Sequence, residues 1–384
     1  MSRSTLSTRR KALYGACAVL ALLGLGEIAA RLAGVPDPRF PRGRDVFTGA
    51  WLPAAETDLI MMGDPALFWR LRPGLHGRPW LKPLWIDTQT NSLGLRSPEI
   101  TCPKPAGHFR VLCLGDSCTY GSGVRSSDSY PARLEQTLNM IYEDGVHEVV
   151  NAGVPGYSSF QGLRFLERWI DAIGPDVVTV SFWPNDSGTW LGTSDAAAYQ
   201  RLNSPATILL SSALARVVAG PIFRIEREAV AQALERDGRA RAENKTGPDA
   251  VGEPESGAPP RATPEDFADH LVEIFRLARS HGARPLLILH PLKGQIDGSW
   301  PHESPYQQAI REVAQREAVP LIDLLEVLKG RTDVFIDNCH LKEEGCLLLA
   351  RALAGTLQSC GILGPPPTLE ERRSRRIDRL ESGG

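Results

Sequence analysis

Ser117 stands in "VLCLGDSCTYGSG", residues 111–123, where an apolar run gives way abruptly to small and polar residues. A serine hydroxyl is a weak nucleophile until a neighbouring imidazole takes its proton. The chain offers one far downstream, in "FIDNCHLKEEG", where Asp337 precedes His340 by three positions. At that spacing one helical turn or a tight loop brings carboxylate to imidazole, where it can fix the tautomer and stabilise the imidazolium. Acyl transfer also needs donors aimed at the developing oxyanion. The backbone N–H of Ser117, the N–H of Gly156 in "NAGVPG" and the side-chain amide of Asn185 in "WPND" are the candidates. Singly these signals are weak, because Gly-Asp-Ser and Asn-Asp are ordinary turn sequences. Their force depends on whether the fold gathers them.

The elements around them do so on paper. Residues 111–114, 149–151 and 177–183 read as strands, nearly all apolar, and "RPLLILHP" and "VPLIDLL" read as two more. Between them lie amphipathic helices, over 130–141 with Leu134, Leu138 and Ile141 on one face, and over 160–173 before Gly174-Pro175. Thr263-Pro264 and Ser304-Pro305 each start another, with proline at the first helical position. Apolar strands alternating with helices imply an α/β fold whose parallel sheet is covered on both faces. Ligands of such sheets bind at the carboxyl ends of the strands. Ser117, the 151–156 glycine turn, Asn185, His290 and the Asp337–His340 segment all fall at or beyond such ends.

The block order "GDS" at 115–117, "NAGVPG" at 151–156, "WPND" at 183–186 and "DNCH" at 337–340 resembles the SGNH or GDSL-type hydrolases. The resemblance runs from Phe109 to about Ile362, and "NSLGLRSPE" is similar to the pre-domain stretch of membrane-anchored bacterial members. It implies a flavodoxin-like three-layer α/β/α sandwich. Ser117 would be the nucleophile, His340 the base, Asp337 its support, and Ser117, Gly156 and Asn185 the oxyanion hole. No metal or organic cofactor is implied. Trp183, Tyr157 and His290 are candidate substrate contacts by position. Two departures stand out: Cys118 occupies the position of a usual leucine, harmless if it points into the core, and Trp183 that of a frequent glycine. The activity implied is a serine esterase cleaving an acyl ester, by analogy a short O-acyl or O-acetyl group on a carbohydrate. Alternatives are O-acyl transfer to a cell-surface polysaccharide, a lipid acyl esterase, or a non-catalytic binding or scaffold domain. The absence of G-x-S-x-G argues against an α/β-hydrolase nucleophile elbow.

The 384 residues are 42% hydrophobic and 23% charged, as expected of a chain that buries a real core. A net charge of −2 argues against a nucleic-acid partner held by a basic surface. The seven cysteines form no CxxC pair, suggest no metal site and read mostly as small buried residues. His76, His108, His147, His270, His281 and His302 lack a partner pattern and read as surface or loop residues.

Residues 1–11 are basic, and 12–35 are apolar enough for a transmembrane signal anchor, with Glu27 and Arg31 spaced to pair. The charge bias puts the catalytic domain outside the cytoplasm, periplasmic in a bacterium; a cleaved signal peptide is the alternative. Residues 36–107 form a leader expected to pack on the hydrolase domain, 108–362. That domain carries an insertion, 187–262, of which 237–262 reads as disordered, and the charged tail 363–384 reads as flexible. The oligomeric state is left open.

Overall fold

The computed structural model describes residues 8–32, 60–76, 88–142, 145–189, 193–205, 212, 213, 215, 217, 259–300, 302–368, 370 and 371. Most of the insertion, including 221–258, and the tail beyond 371 lie outside the described residues.

The N-terminal apolar segment is helix α1 (Thr8–Leu32). Its 20-residue stretch Leu13–Leu32 spans roughly 30 Å, long and apolar enough to cross a bilayer. Arg31 Nε donates to Glu27 Oε1 at 2.7 Å, the pairing expected from their spacing. The leader contributes an antiparallel hairpin of β1 (Met61–Asp64) and β2 (Phe68–Leu71).

The main sheet is built from β3 (Phe109–Gly115), β4 (His147–Gly153), β5 (Val177–Ser181), β6 (Arg284–Leu289) and β7 (Leu321–Asp323). All neighbours are parallel, in the order β4-β3-β5-β6-β7. Counted along the five strands this is the flavodoxin-like order 2-1-3-4-5, which reverses between β3 and β5.

Strand residues alternate between two cores. Leu112, Leu114, Val178, Val180, Leu287 and Leu289 join one apolar cluster, and their neighbours Val111, Cys113, Val177, Leu286 and Ile288 join the other. A sheet with no polar face must be covered twice. After the short α2 (Ser117–Tyr120) comes α3 (Tyr130–Tyr142), then α4 (Ser159–Ile173), α5 (Asp195–Leu202) and α6 (Pro264–Ser280). The short α7 (Lys293–Asp297) precedes α8 (Pro305–Arg316), α9 (Leu324–Val327) and α10 (Glu343–Ser359). Buried residues of α4, α6 and α8 fill the first cluster; those of α3 and α10 fill the second. The result is an α/β/α sandwich.

Several boundaries shift for local reasons. The strand expected over 177–183 stops at Ser181, since Pro184 has no N–H to continue a ladder. "VPLIDLL" is strand only at Leu321–Asp323, because the Asp323 carboxylate accepts the Leu325 N–H at 3.0 Å and starts α9. The stretch expected to be disordered, 237–262, ends instead in ordered chain. Arg261 is buried there, its guanidinium paired with Asp195 at 2.8 Å and donating to the Gly156 carbonyl at 2.6 Å. His147 is buried in β4 and His270 Nδ1 lies 2.8 Å from Ser159 Oγ, so neither is the loop histidine that its sequence context suggests.

Candidate active site

Ser117 is the first residue of α2, directly beyond β3 at the switch point of the sheet. Asp116 caps the helix: its Oδ1 accepts the Cys118 N–H at 2.8 Å. The glycines on either side of the serine turn are there for space. A Cβ on Gly115 would lie 2.1 Å from Thr119 Oγ1, and one on Gly153 2.1 Å from the Tyr120 backbone nitrogen. The helix can therefore sit down on β3 and β4 only if neither residue has a side chain.

The leader fixes the same helix from outside. Arg96, buried at 3% exposure, donates to the carbonyls of Tyr120 at 2.6 Å, Gly121 at 2.8 Å and Val124 at 2.9 Å. Thr88 Oγ1 is 2.8 Å from the Tyr120 hydroxyl, and the Asn151 N–H donates to Ser97 Oγ at 2.7 Å. The sequence carries no signal for this clamp, because Arg96 finds its carbonyl partners only after the chain has folded.

The histidine arrives on a tight turn before α10. Asp337 Oδ1 accepts the N–H groups of Cys339 at 2.9 Å and His340 at 2.8 Å, which folds the segment back on itself. The same carboxylate then reaches the ring: Oδ2 lies 2.7 Å from His340 Nδ1. On the opposite edge, His340 Nε2 is 2.9 Å from Ser117 Oγ. Hydroxyl, imidazole and carboxylate are thus in line. Ser117 and His340 are only 5% and 6% exposed.

The electrostatics couple the carboxylate to the ring. Burial alone would raise the Asp337 pKa, but its hydrogen bonds and the charge of His340 hold it at about 2. Burial opposes a charge on His340, but Cys339, when ionised, and the Asp337 carboxylate favour it and shift its pKa upward. Asp116 is different: burial in a dry site pushes its carboxyl up to about 7 despite the Cys118 hydrogen bonds.

The oxyanion candidates are partly gathered. The N–H of Ser117 heads α2, where no preceding turn of helix can accept it. Gly156 turns with φ of +79°. Asn185 lies between the neighbours of both, its Nδ2 donating to Asp116 Oδ2 at 3.1 Å and to the Tyr157 carbonyl at 3.0 Å. Both amide hydrogens are therefore engaged, and Asn185 can turn to an oxyanion only by releasing one of them.

The three candidate substrate contacts are not at the surface. Trp183 is 1% exposed and its Nε1 donates to the His290 carbonyl at 2.7 Å. The Tyr157 hydroxyl donates to the Trp69 carbonyl at 2.7 Å, and His290 Nε2 lies 2.6 Å from the Cys339 carbonyl. Each buries an amphipathic ring and satisfies its polar atom internally, as a buried polar group must. Burial also pushes the His290 pKa down to about 4. All three rings pack inside the domain. A cavity of about 230 Å3 that the sequence did not reveal is lined by Leu292, Lys293, Gly294, Asp297, Ser299, Trp300 and Asn338; Asn338 adjoins Asp337, but none of Ser117, Asp337 and His340 lines it.

The cysteines also depart from expectation. All seven are free thiols, and of these Cys113 and Cys346 are buried. Cys118 does not point into the core. It is half-buried, its Sγ 3.6 Å from the Cys339 carbonyl.

A parallel sheet of this order, with a serine, a histidine and a carboxylate in line at its switch point, defines a flavodoxin-like α/β protein equipped for nucleophilic chemistry. A sequence model of the GDSL-like lipase/acylhydrolase family matches residues 113–347, and the chain belongs to that family; it is a hydrolase of ester bonds. Among solved structures it is similar to TesA (19% identity, 65% of this chain and 98% of that chain, TM-score 0.40). It is also similar to the psychrotrophic esterase EstA from Pseudoalteromonas sp. inhibited by monoethylphosphonate (11%, 66% and 99%, 0.40). A third is the lipase/acylhydrolase from Enterococcus faecalis (18%, 68% and 100%, 0.40). No curated protein matches.

Proposed function

We propose that the protein is a serine esterase that removes a short acyl group from a carbohydrate ester, held at a membrane by α1 with the hydrolase domain outside the cytoplasm. One observation carries the reading: the Ser117 Oγ–His340 Nε2 contact of 2.9 Å, continued by the His340 Nδ1–Asp337 Oδ2 contact of 2.7 Å. Ser117 Oγ attacks the ester carbonyl carbon while His340 Nε2 takes its proton. The N–H groups of Ser117 and Gly156 receive the oxyanion, joined by Asn185 once its bond to Asp116 opens. Collapse expels the alcohol, protonated by His340, and leaves an acyl-enzyme. Water then attacks the acyl carbon with His340 again as base, releasing the carboxylic acid and Ser117. Asp337, ionised at neutral pH, holds the ring so that Nε2 faces the serine.

The carbohydrate alcohol is supported by the cavity beside Asn338, where the half-buried Trp300 sits among Lys293, Asp297, Ser299 and Asn338. An aromatic face among polar and charged groups suits a ring carrying hydroxyls. The test is ester hydrolysis by the detergent-solubilised full chain across acetyl to long-chain esters, and acetate release from an O-acetylated polysaccharide, beside Ser117→Ala. Short-chain preference with acetate release is expected; a strong preference for long acyl chains would point to a lipid substrate.

A further inference from the structure

We propose that Cys118, Cys339 and His340 form a site for a soft divalent metal ion such as Zn2+, and that the ion, once bound, silences Ser117. The fold brings two sulfurs and an imidazole nitrogen together, all within 4.8 Å of one another. Cys339 Sγ is 3.7 Å from His340 Nδ1 and 4.0 Å from Nε2. A tetrahedral zinc ion, with Zn–S of about 2.3 Å and Zn–N of about 2.0 Å, sets its ligand atoms about 3.5–3.8 Å apart. Cys339 Sγ therefore needs to close on Nε2 by about half an ångström, and Cys118 Sγ, within 4.8 Å of the other ligand atoms, by about an ångström.

The backbone already holds them there. Cys118 follows the capped start of α2, and Cys339 and His340 are pinned by the Asp337 carboxylate. His340 Nδ1 is committed to Asp337 Oδ2 at 2.7 Å, the carboxylate support that a metal-bound imidazole usually has, which leaves Nε2, 2.9 Å from Ser117 Oγ, as the nitrogen for the ion. Cys118 and Cys339 bind as thiolates and release their protons to solvent. Water or Ser117 Oγ fills the fourth position. Two sulfurs and a nitrogen select zinc, cadmium or copper over magnesium or calcium. The consequence rests on the reading of His340 as the base: a metal on Nε2 occupies the lone pair that must accept the serine proton.

The test uses the full-length protein in detergent, reduced and then freed of reductant, with Co2+ as spectroscopic probe. One equivalent should produce thiolate-to-cobalt charge-transfer absorption and tetrahedral ligand-field bands, lost on adding Zn2+ and absent from the Cys118→Ser/Cys339→Ser double variant. Saturating Zn2+ should lower wild-type ester hydrolysis by at least about tenfold, reversed by chelation, while leaving the double variant near its own metal-free rate. Ser117→Ala should keep the cobalt bands, so an inactive wild type with intact bands would retire the esterase reading and leave the metal site standing. No thiolate band in the wild type overturns the proposal. So does equal zinc inhibition of the cysteine variant, or loss of both thiols to a disulfide before any metal is added.

Discussion

Asp337→Asn isolates what the carboxylate does for His340. Asp337 makes three contacts on the segment: Oδ1 accepts the N–H groups of Cys339 and His340 at 2.9 and 2.8 Å, and Oδ2 meets His340 Nδ1 at 2.7 Å. The amide oxygen of asparagine can keep both backbone bonds, so the turn and the fold should survive. Its NH2 group, however, lands opposite Nδ1 and donates to it. Nδ1 must then be the bare nitrogen, which places the proton on Nε2, 2.9 Å from Ser117 Oγ. An imidazole in that tautomer cannot take the serine proton. The charge is lost as well: with its pKa held at about 2, Asp337 is fully ionised at neutral pH and balances the imidazolium that forms. Wrong-tautomer substitution in a serine protease triad costs ~10⁴ in kcat, about 5.5 kcal/mol of barrier, and the same loss is expected here. The assay is kcat for a soluble acetyl ester at pH 7.5, with thermal unfolding to show that the variant is folded. A folded Asp337→Asn that keeps more than about a tenth of wild-type kcat would refute the assignment of base and support.

Ser117→Ala and His340→Ala should each lower kcat by ~10⁴ or more, and the double variant should be scarcely worse because the two act as a unit; multiplicative losses would separate them. Gly153→Ala should cost about 1–3 kcal/mol in chemical denaturation and reduce activity, since its Cβ would lie 2.1 Å from the Tyr120 nitrogen and push α2 off the sheet. Arg96→Met should lower kcat more than its loss of stability explains, by releasing the three carbonyls that hold the C-terminal end of α2; unchanged kcat in the folded variant would make Arg96 purely structural. Asp186 sits buried with its Oδ1 accepting from Ser159, and burial raises its pKa from 3.8 to about 7. The native state then holds a proton that the unfolded chain has lost, so stability is greatest below about pH 4 for this group, falls as pH rises toward 7 and levels off above. Asp186→Asn should flatten that slope between about pH 4 and pH 7; an unchanged slope would place the titration elsewhere.

The sequence itself determined the layers and the edge at which chemistry can occur. Strand residues buried on both faces and helix starts at Thr263-Pro264 and Ser304-Pro305 are local properties. Each follows from side-chain alternation or from a capping hydroxyl within a few residues. The site was legible to the same extent. Ser117 at a strand end and Asp337 three residues before His340 are short-range patterns, and parallel strands send their carboxyl ends to one side. What tertiary structure decided were the contacts between segments remote in the chain. Trp183, Tyr157 and His290 look like substrate contacts from their positions, but the carbonyls that satisfy them come from other segments and bury them. Arg96 gives no hint of its grip on α2. Cys118 and Cys339, in segments at opposite ends of the domain, become neighbours only because α2 and the Asp337 turn converge on the same strand ends. Hydrophobic periodicity encodes which face a residue takes; it carries no information on which distant polar atom will meet it there.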